Sequence, residues 1–229
     1  MAIDWVYDYR PTSFDEMALY PLLRKRLEFY AHTQEFSHLL FVGDTGVGKT
    51  TAARILGGYS AFTTTEVNCA QNNSKADMLR ISKSTTSVSM WGKNKLFIMD
   101  EFEKVSIPHQ TIFNKTMEDD GKRNTFIFCV NDIDAVAPPI VSRCMTLRFD
   151  VGILNPKTNK LTIHDYAGIG KDEWIDELKR MGRITAKKDG KSPTDAQLDI
   201  VASNDLYIID PRRYIRNLEE QIKMDEMDS

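Results

Sequence analysis

His38-Leu39-Leu40-Phe41-Val42-Gly43-Asp44-Thr45-Gly46-Val47-Gly48-Lys49-Thr50-Thr51-Ala52-Ala53-Arg54-Ile55-Leu56 is the stretch that decides the fold. An apolar run reads as a strand, G-x-x-x-x-G-K-T follows it, and a helical pattern comes next, which is the setting a phosphate-binding loop requires. Its glycines let consecutive backbone N–H groups turn toward phosphate oxygens. The N-terminus of the helix adds its positive dipole end. Gly43, Asp44, Thr45, Gly46, Val47, Gly48, Lys49, Thr50 and Thr51 are therefore the expected nucleotide contacts. Lys49 is expected to reach the β- and γ-phosphates, and the Thr50 hydroxyl to hold Mg²⁺.

Working outward, Leu96-Phe97-Ile98-Met99 reads as a buried strand that runs into Asp100-Glu101-Phe102-Glu103. Two acids at the carboxyl end of a buried strand are costly unless a cation waits there. Asp100 is expected in the Mg²⁺ shell, and Glu101 is expected to orient the attacking water. Thr125 to Val130 is a further apolar strand, and Asn131 at its tip can meet a γ-phosphate or the water, or simply make an Asx-turn. Strands over Ala61–Cys69 and Met145–Phe149 alternate with helices, including one over residues 108–119. This pattern predicts an α/β fold with a parallel sheet and helices on both faces. Ser74 caps a helix that carries Lys75, Arg80 and Lys83 beside Ser82, Ser84, Thr85, Thr86 and Ser87. That face is either solvated or a set of phosphate-positioning donors.

The N-terminal segment with Trp5, Tyr7, Tyr9 and Pro11 reads as an arm that leads into a turn. Leu22, Leu23, Leu27 and Phe29-Tyr30 form the apolar side of an amphipathic helix. After Asp150 the character changes. Asn155 to Lys160 reads as a hairpin tip, with Pro156 and Asn159 inside it. Three helical stretches follow, the last beginning at Asp210-Pro211. The acidic tail Met224–Ser229 reads as frayed. The expected division is residues 1–150 for nucleotide binding and 151–229 for a small helical lid, with an atypical insertion near 151–170.

Charged residues at 28% and apolar residues at 41% are ordinary for a soluble globular protein. A net charge of −3 leaves no global basic field, so contact with nucleic acid must come from a local patch. Cys69, Cys129 and Cys144 have no neighbours at metal-ligand spacing and read as buried free thiols. No apolar run approaches the ~18 residues of a membrane span, and no signal-peptide pattern opens the chain, so the expected location is cytoplasmic.

Together these residues resemble the ATPase subunits of sliding-clamp loaders within the AAA+ class, such as replication factor C small subunits and phage clamp-loader large subunits. The resemblance runs from Tyr9 to about Gln221. Tyr9-Arg10-Pro11 looks like the family's adenine-side motif. Asp100 to Glu103 resembles its acidic box, with Glu where Asp is usual at the fourth place. Gln110 falls where the family has a polar relay between DNA and the catalytic acid, and Met117-Glu118 keeps the family spacing. Asn131 resembles sensor 1. Ser142-Arg143-Cys144 resembles the tripeptide that marks clamp loaders, which implies that Arg143 acts in trans on a neighbour's nucleotide. Arg212 matches the sensor 2 arginine.

The resemblance implies ATP and Mg²⁺ as cofactors and Mg-dependent ATP hydrolysis. Its implied partners are other loader subunits in a homo- or hetero-oligomeric ring, a sliding clamp and primer–template DNA, with no membrane. It gives Ser74, Lys75, Arg80 and Lys83 a duplex-lining role. It also implies a helical collar domain that this sequence stops short of, so ring assembly is expected to be collar-free or to use a collar-bearing partner. A replicative helicase loader and a non-hydrolysing regulatory subunit are the rival readings. The first is disfavoured by Ser142-Arg143-Cys144, the second by the intact Lys49, Thr50, Asp100 and Glu101.

Overall fold

The computed structural model describes residues 3–58, 62–85, 94–119, 124–155, 157–158 and 160–227. The placements read from sequence for Ala61, Thr86, Ser87, Pro156, Asn159, Asp228 and Ser229 lie outside the described residues. In chain order, α1 is Trp5–Asp8, α2 Pro21–Thr33, β1 Leu39–Val42, α3 Lys49–Gly57, β2 Phe62–Asn68 and α4 Lys75–Thr85. Then come β3 Asn94–Asp100, α5 Ile107–Gln110, α6 Ile112–Asp119, β4 Asn124–Val130, α7 Pro138–Val141 and β5 Met145–Arg148. The chain closes with β6 Gly152–Leu154, β7 Leu161–Ile163, α8 Lys171–Lys188, α9 Asp195–Ala202, α10 Asp205–Ile208 and α11 Pro211–Met227.

Two compact units result. One comprises residues 27–44 and 52–149, the other residues 1–26, 45–51 and 150–229. The first holds a five-stranded parallel sheet in the order β2-β3-β4-β1-β5. β1 and β4, at its centre, are apolar almost throughout, as parallel strands covered on both faces must be. β2 stands at an edge, and its Thr63, Thr64 and Thr65 are exposed. Phe97, Phe102, Phe113, Phe126 and Phe128 interlock beneath the helices as one buried aromatic cluster.

His38 closes the amino end of this core. It is buried, and its Nδ1 accepts the Phe126 N–H at 3.2 Å. Burial pushes its pKa below the ordinary 6.5, with the Met117 backbone opposing the shift. The unfolded chain therefore takes up this proton first. The stability it contributes is whole above pH 6.5 and is lost as pH falls toward the depressed folded value. Urea midpoints measured from pH 7.5 down to pH 5.5 will fall more steeply for the wild type than for His38→Gln; equal slopes would remove His38 from the account.

The sequence makes three local errors in this unit and its flanks. The helix expected over 108–119 is two helices, because the Thr111 hydroxyl takes the Pro108 carbonyl at 2.8 Å and competes with helix continuation. Leu22 and Phe29 face outward on α2, while Leu23 and Leu27 are buried. The N-terminal arm begins with a helical turn, α1, whose N-cap Asp4 accepts from the Val6 N–H. Ser74 does cap α4: its Oγ accepts the Asp77 N–H at 3.2 Å while the Asp77 carboxylate accepts the Ser74 N–H at 3.3 Å. Ser74→Ala should cost about 1 kcal/mol, read as a loss of roughly 2–4 °C in Tm.

In the second unit α8, α9, α10 and α11 pack together, with Trp174, Leu178, Leu198, Tyr214 and Leu218 buried among them. β6 and β7 form the expected antiparallel hairpin. α10 has no clear sequence signal beyond its Asn204 N-cap. The acidic tail does not fray at Met224: α11 continues to Met227, and Asp225 accepts from both Gln197 and Gln221. Among the described residues, no helix is long and apolar enough to cross a membrane.

Candidate functional site

Parallel pairing brings one set of candidate residues to a single edge of the sheet. Val42 of β1 lies beside Val130 of β4, and Met99 of β3 beside Phe128, so the carboxyl ends of all three strands emerge together. Gly43 leaves β1 with its N–H donated to the Val130 carbonyl at 3.2 Å, and the exposed Asp44 follows it. Asp100 is the half-buried last residue of β3. Glu101 is exposed and left-handed at φ 53°, turned out of the strand as the chain enters a short 3₁₀ turn. Asn131 follows β4, and its Nδ2 donates to the Glu103 carboxylate at 2.7 Å. An acceptor-only carboxylate fixes which end of the Asn131 amide carries the donors. Sequence reading noted Glu103 only as an unusual residue, not as the group that aims Asn131.

Arg143 belongs elsewhere. It precedes β5, whose Met145 pairs with Leu39 at the start of β1, so it lies at the amino edge, the length of β1 from Asp100 and Asn131. Its guanidinium pairs with Glu118 and donates to the Pro139 carbonyl at 2.7 Å. On α4, Ser74, Lys75, Arg80 and Lys83 are all exposed; Arg80 is paired with Asp77.

The other unit holds the loop Thr45–Thr51 together with the N-terminal arm and the C-terminal helices. A cleft of about 140 Å³ lies among them. Tyr9, Arg10 and Pro11 line it from the arm, Gly46, Val47, Gly48 and Thr51 from the loop, and Arg212 from α11. Arg10 Nε donates to Thr51 Oγ1 at 3.0 Å. Lys49 is buried in the first turn of α3, and Thr50 half-buried beside it. Two glycines are dictated here. Gly46 has φ +95°, and a Cβ on it would stand 2.0 Å from an Asp210 carboxylate oxygen. Gly48 has φ +99°, and its Cβ would meet the Met17 methyl at 2.7 Å. Asp210 is held there because it caps α11, accepting the Arg212 and Arg213 N–H groups.

Sequence reading missed much of this cleft's apolar wall, including Trp5, Met17, Met181 and Ile215. The one available signal is the aromatic pair Trp5 and Tyr9, four residues apart across the turn of α1. The cysteines are free, with Cys69 and Cys129 buried. Burial pushes the Cys69 and Cys144 thiols up to about 12, which leaves neither a thiolate near pH 7. Among the described residues, no three His, Cys, Asp or Glu side chains cluster to hold a metal by themselves.

Residues 39–152 match the family described as "ATPase family associated with various cellular activities (AAA)". The chain is similar to replication factor C small subunit 1 of Pyrobaculum islandicum, 30% identical across 75% of this chain and 53% of that protein. It is similar to the replication factor C small subunit of Methanococcus vannielii, 33% identical across 63% of this chain and 48% of that one. Small subunit 2 of P. islandicum is 28% identical across 96% of this chain and 73% of its own length. The chain spans about half the length of the first two. In fold it is similar to the Thermotoga maritima RuvB Holliday junction branch migration motor, with a TM-score of 0.73 at 20% identity, over 98% of this chain and 68% of that one.

Proposed function

We propose that this chain, which belongs to the AAA ATPases through residues 39–152, works as an ATP-hydrolysing subunit of a sliding-clamp loader. The observation that carries this reading is the arrangement of its polar and charged side chains. Asp100, Glu101 and Asn131 gather at the carboxyl edge of the sheet, while Arg143 sits at the opposite edge, a placement in keeping with a role on a neighbour's nucleotide. The similarity to replication factor C small subunits supports the same reading.

In this scheme the loop from Gly43 to Thr51 cradles the phosphates, and Lys49 neutralises their charge. Thr50 and Asp100 offer the hard oxygens that suit Mg²⁺, which when bound would stabilise charge developing on the phosphates. Glu101 polarises the attacking water, and Asn131, aimed by Glu103, positions it or the γ-phosphate. Arg212 approaches the phosphates from α11. Residues 151–229 act as the lid. Arg143, supplied in trans, is worth roughly 10³–10⁵ in rate by analogy with arginine fingers, so hydrolysis reports assembly. The exposed face of α4, with Ser74, Lys75, Arg80 and Lys83, follows the phosphates of primer–template duplex, which makes affinity salt-sensitive and independent of sequence.

The test is phosphate release by the purified assembly with a sliding clamp present. Duplex with a recessed 3′ end should stimulate it. Stimulation by single strands alone would transfer the chain to helicase loading, and no hydrolysis under either condition would leave a regulatory role.

A further inference from the structure

The arm that supplies Tyr9, Arg10 and Pro11 to the cleft starts with α1, a helix of only four residues. One helical turn does not hold its shape alone in water, so something else must fix it. Trp5 is buried, and its indole N–H donates to Asp189 Oδ2 at 3.0 Å. The Tyr9 hydroxyl donates to Asp189 Oδ1 at 2.8 Å. One carboxylate thus takes both aromatics from the same side of the turn, with an oxygen for each. The Trp5 backbone N–H is also claimed, by Glu219 Oε2 at 3.0 Å, and Glu219 in turn pairs with Lys223.

Asp189 is itself anchored through its backbone. It is the C-cap residue of α8, and its N–H is bound to the Ala186 carbonyl at 3.0 Å. In the sequence it is lost in the basic stretch Lys187-Lys188-Asp189-Gly190-Lys191, and nothing in the phosphate-loop signature points to it. Trp5 and Tyr9 both line the cleft, whereas Asp189 does not.

We propose that Asp189 is a positioning residue for the nucleotide: by clasping Trp5 and Tyr9 it holds the base-side wall of the cleft in its binding-competent form. This rests on the cleft's being the nucleotide site, as the proposed function has it. The Tyr9 hydroxyl is pushed above its ordinary pKa, first by its hydrogen bond to Asp189. Asp189 is held below the usual carboxylate range by Tyr9 and then Trp5. The carboxylate is therefore charged and the phenol protonated at neutral pH, the states the two bonds need. Without the clasp the arm samples open forms, and apparent affinity falls in proportion to the competent fraction.

The experiment is equilibrium binding of a fluorescent ATP analogue with Mg²⁺ to the full chain, beside thermal unfolding without nucleotide. Asp189→Ala should raise Kd about tenfold, the scale of losing charge-assisted hydrogen bonds, and Asp189→Glu should recover part of it. Tyr9→Phe keeps the ring and drops one bond. It should weaken binding less, and its effect should vanish in the Asp189→Ala background. It also supplies the test if Asp189→Ala does not fold. A Kd for folded Asp189→Ala within about twofold of wild type would overturn the clasp, as would additive effects of the two variants; these thresholds allow for measurement scatter and for independent sites adding. Lys49→Ala separates the two readings. If wild type and Lys49→Ala bind alike, the nucleotide site itself is wrong; if only Lys49→Ala loses binding, the clasp alone fails.

Discussion

Glu101→Gln will bind ATP like the wild type and turn it over roughly 10²–10⁴-fold more slowly, the span that a positioned general base contributes. The exchange is isosteric and removes only the charge and an acceptor. The phosphate loop, to which the proposed function assigns ground-state binding, does not include Glu101. The backbone argues for function as well. Glu101 is non-glycine and left-handed at φ 53°, a conformation that costs about 1–2 kcal/mol. The turn that follows is what imposes it: the Glu101 carbonyl accepts the Lys104 N–H at 3.0 Å. Phe102 is locked beneath it, fully buried against Phe113 and Phe128. With Phe102 driven into the core, Glu101 is thrown outward at the carboxyl edge, exposed and strained, as groups at reactive sites often are. Phosphate release measured with saturating nucleotide, beside binding of the fluorescent analogue, reads both halves. Unchanged release would remove Glu101 from the chemistry.

The parts legible in the sequence are those whose cause is local. A strand, a glycine loop and a helix in the nineteen residues from His38 to Leu56 announce a phosphate site because the loop geometry needs nothing from elsewhere. Ser74 announces its own helix because the capping bonds span three residues. The strand order was not legible, since β1 inserts between β4 and β5 and no short-range pattern encodes that choice. The same limit hid the partners of the site. Glu103 reaches Asn131 across 28 positions, and Asp189 reaches Tyr9 across 180. Composition even pointed the wrong way for Asp189, whose neighbours are basic. The family resemblance placed Gln110 at a relay position without saying which atoms it joins.

Those atoms yield the second large effect. Gln110 is fully buried, and each of its polar atoms is engaged: Nε2 donates to the Val105 carbonyl at 2.8 Å and the Ala135 carbonyl at 2.9 Å, while Oε1 accepts the Ala137 N–H at 2.7 Å. Gln110→Leu keeps nearly the same volume, so no cavity opens, and the leucine gains apolar burial. Against that gain stand three backbone groups stripped of their partner, those of Val105 and Ala137 buried and that of Ala135 half-buried. An orphaned N–H alone costs about 1–3 kcal/mol, and the two carbonyls add to it. The polar loss should win by about 2–3 kcal/mol, which for a chain of this size is roughly 4–12 °C of Tm. A shift under about 2 °C, less than 1 kcal/mol on the same scale, would mean that water or backbone relaxation replaces the amide. The loss should not stop at stability. Val105 follows the turn that presents Glu101, and Ala135 and Ala137 follow the strand end that presents Asn131. One amide ties those two loops together. Folded Gln110→Leu, assayed well below its melting point, should therefore hydrolyse ATP more slowly while binding it unchanged, because the loops that carry Glu101 and Asn131 no longer share an anchor.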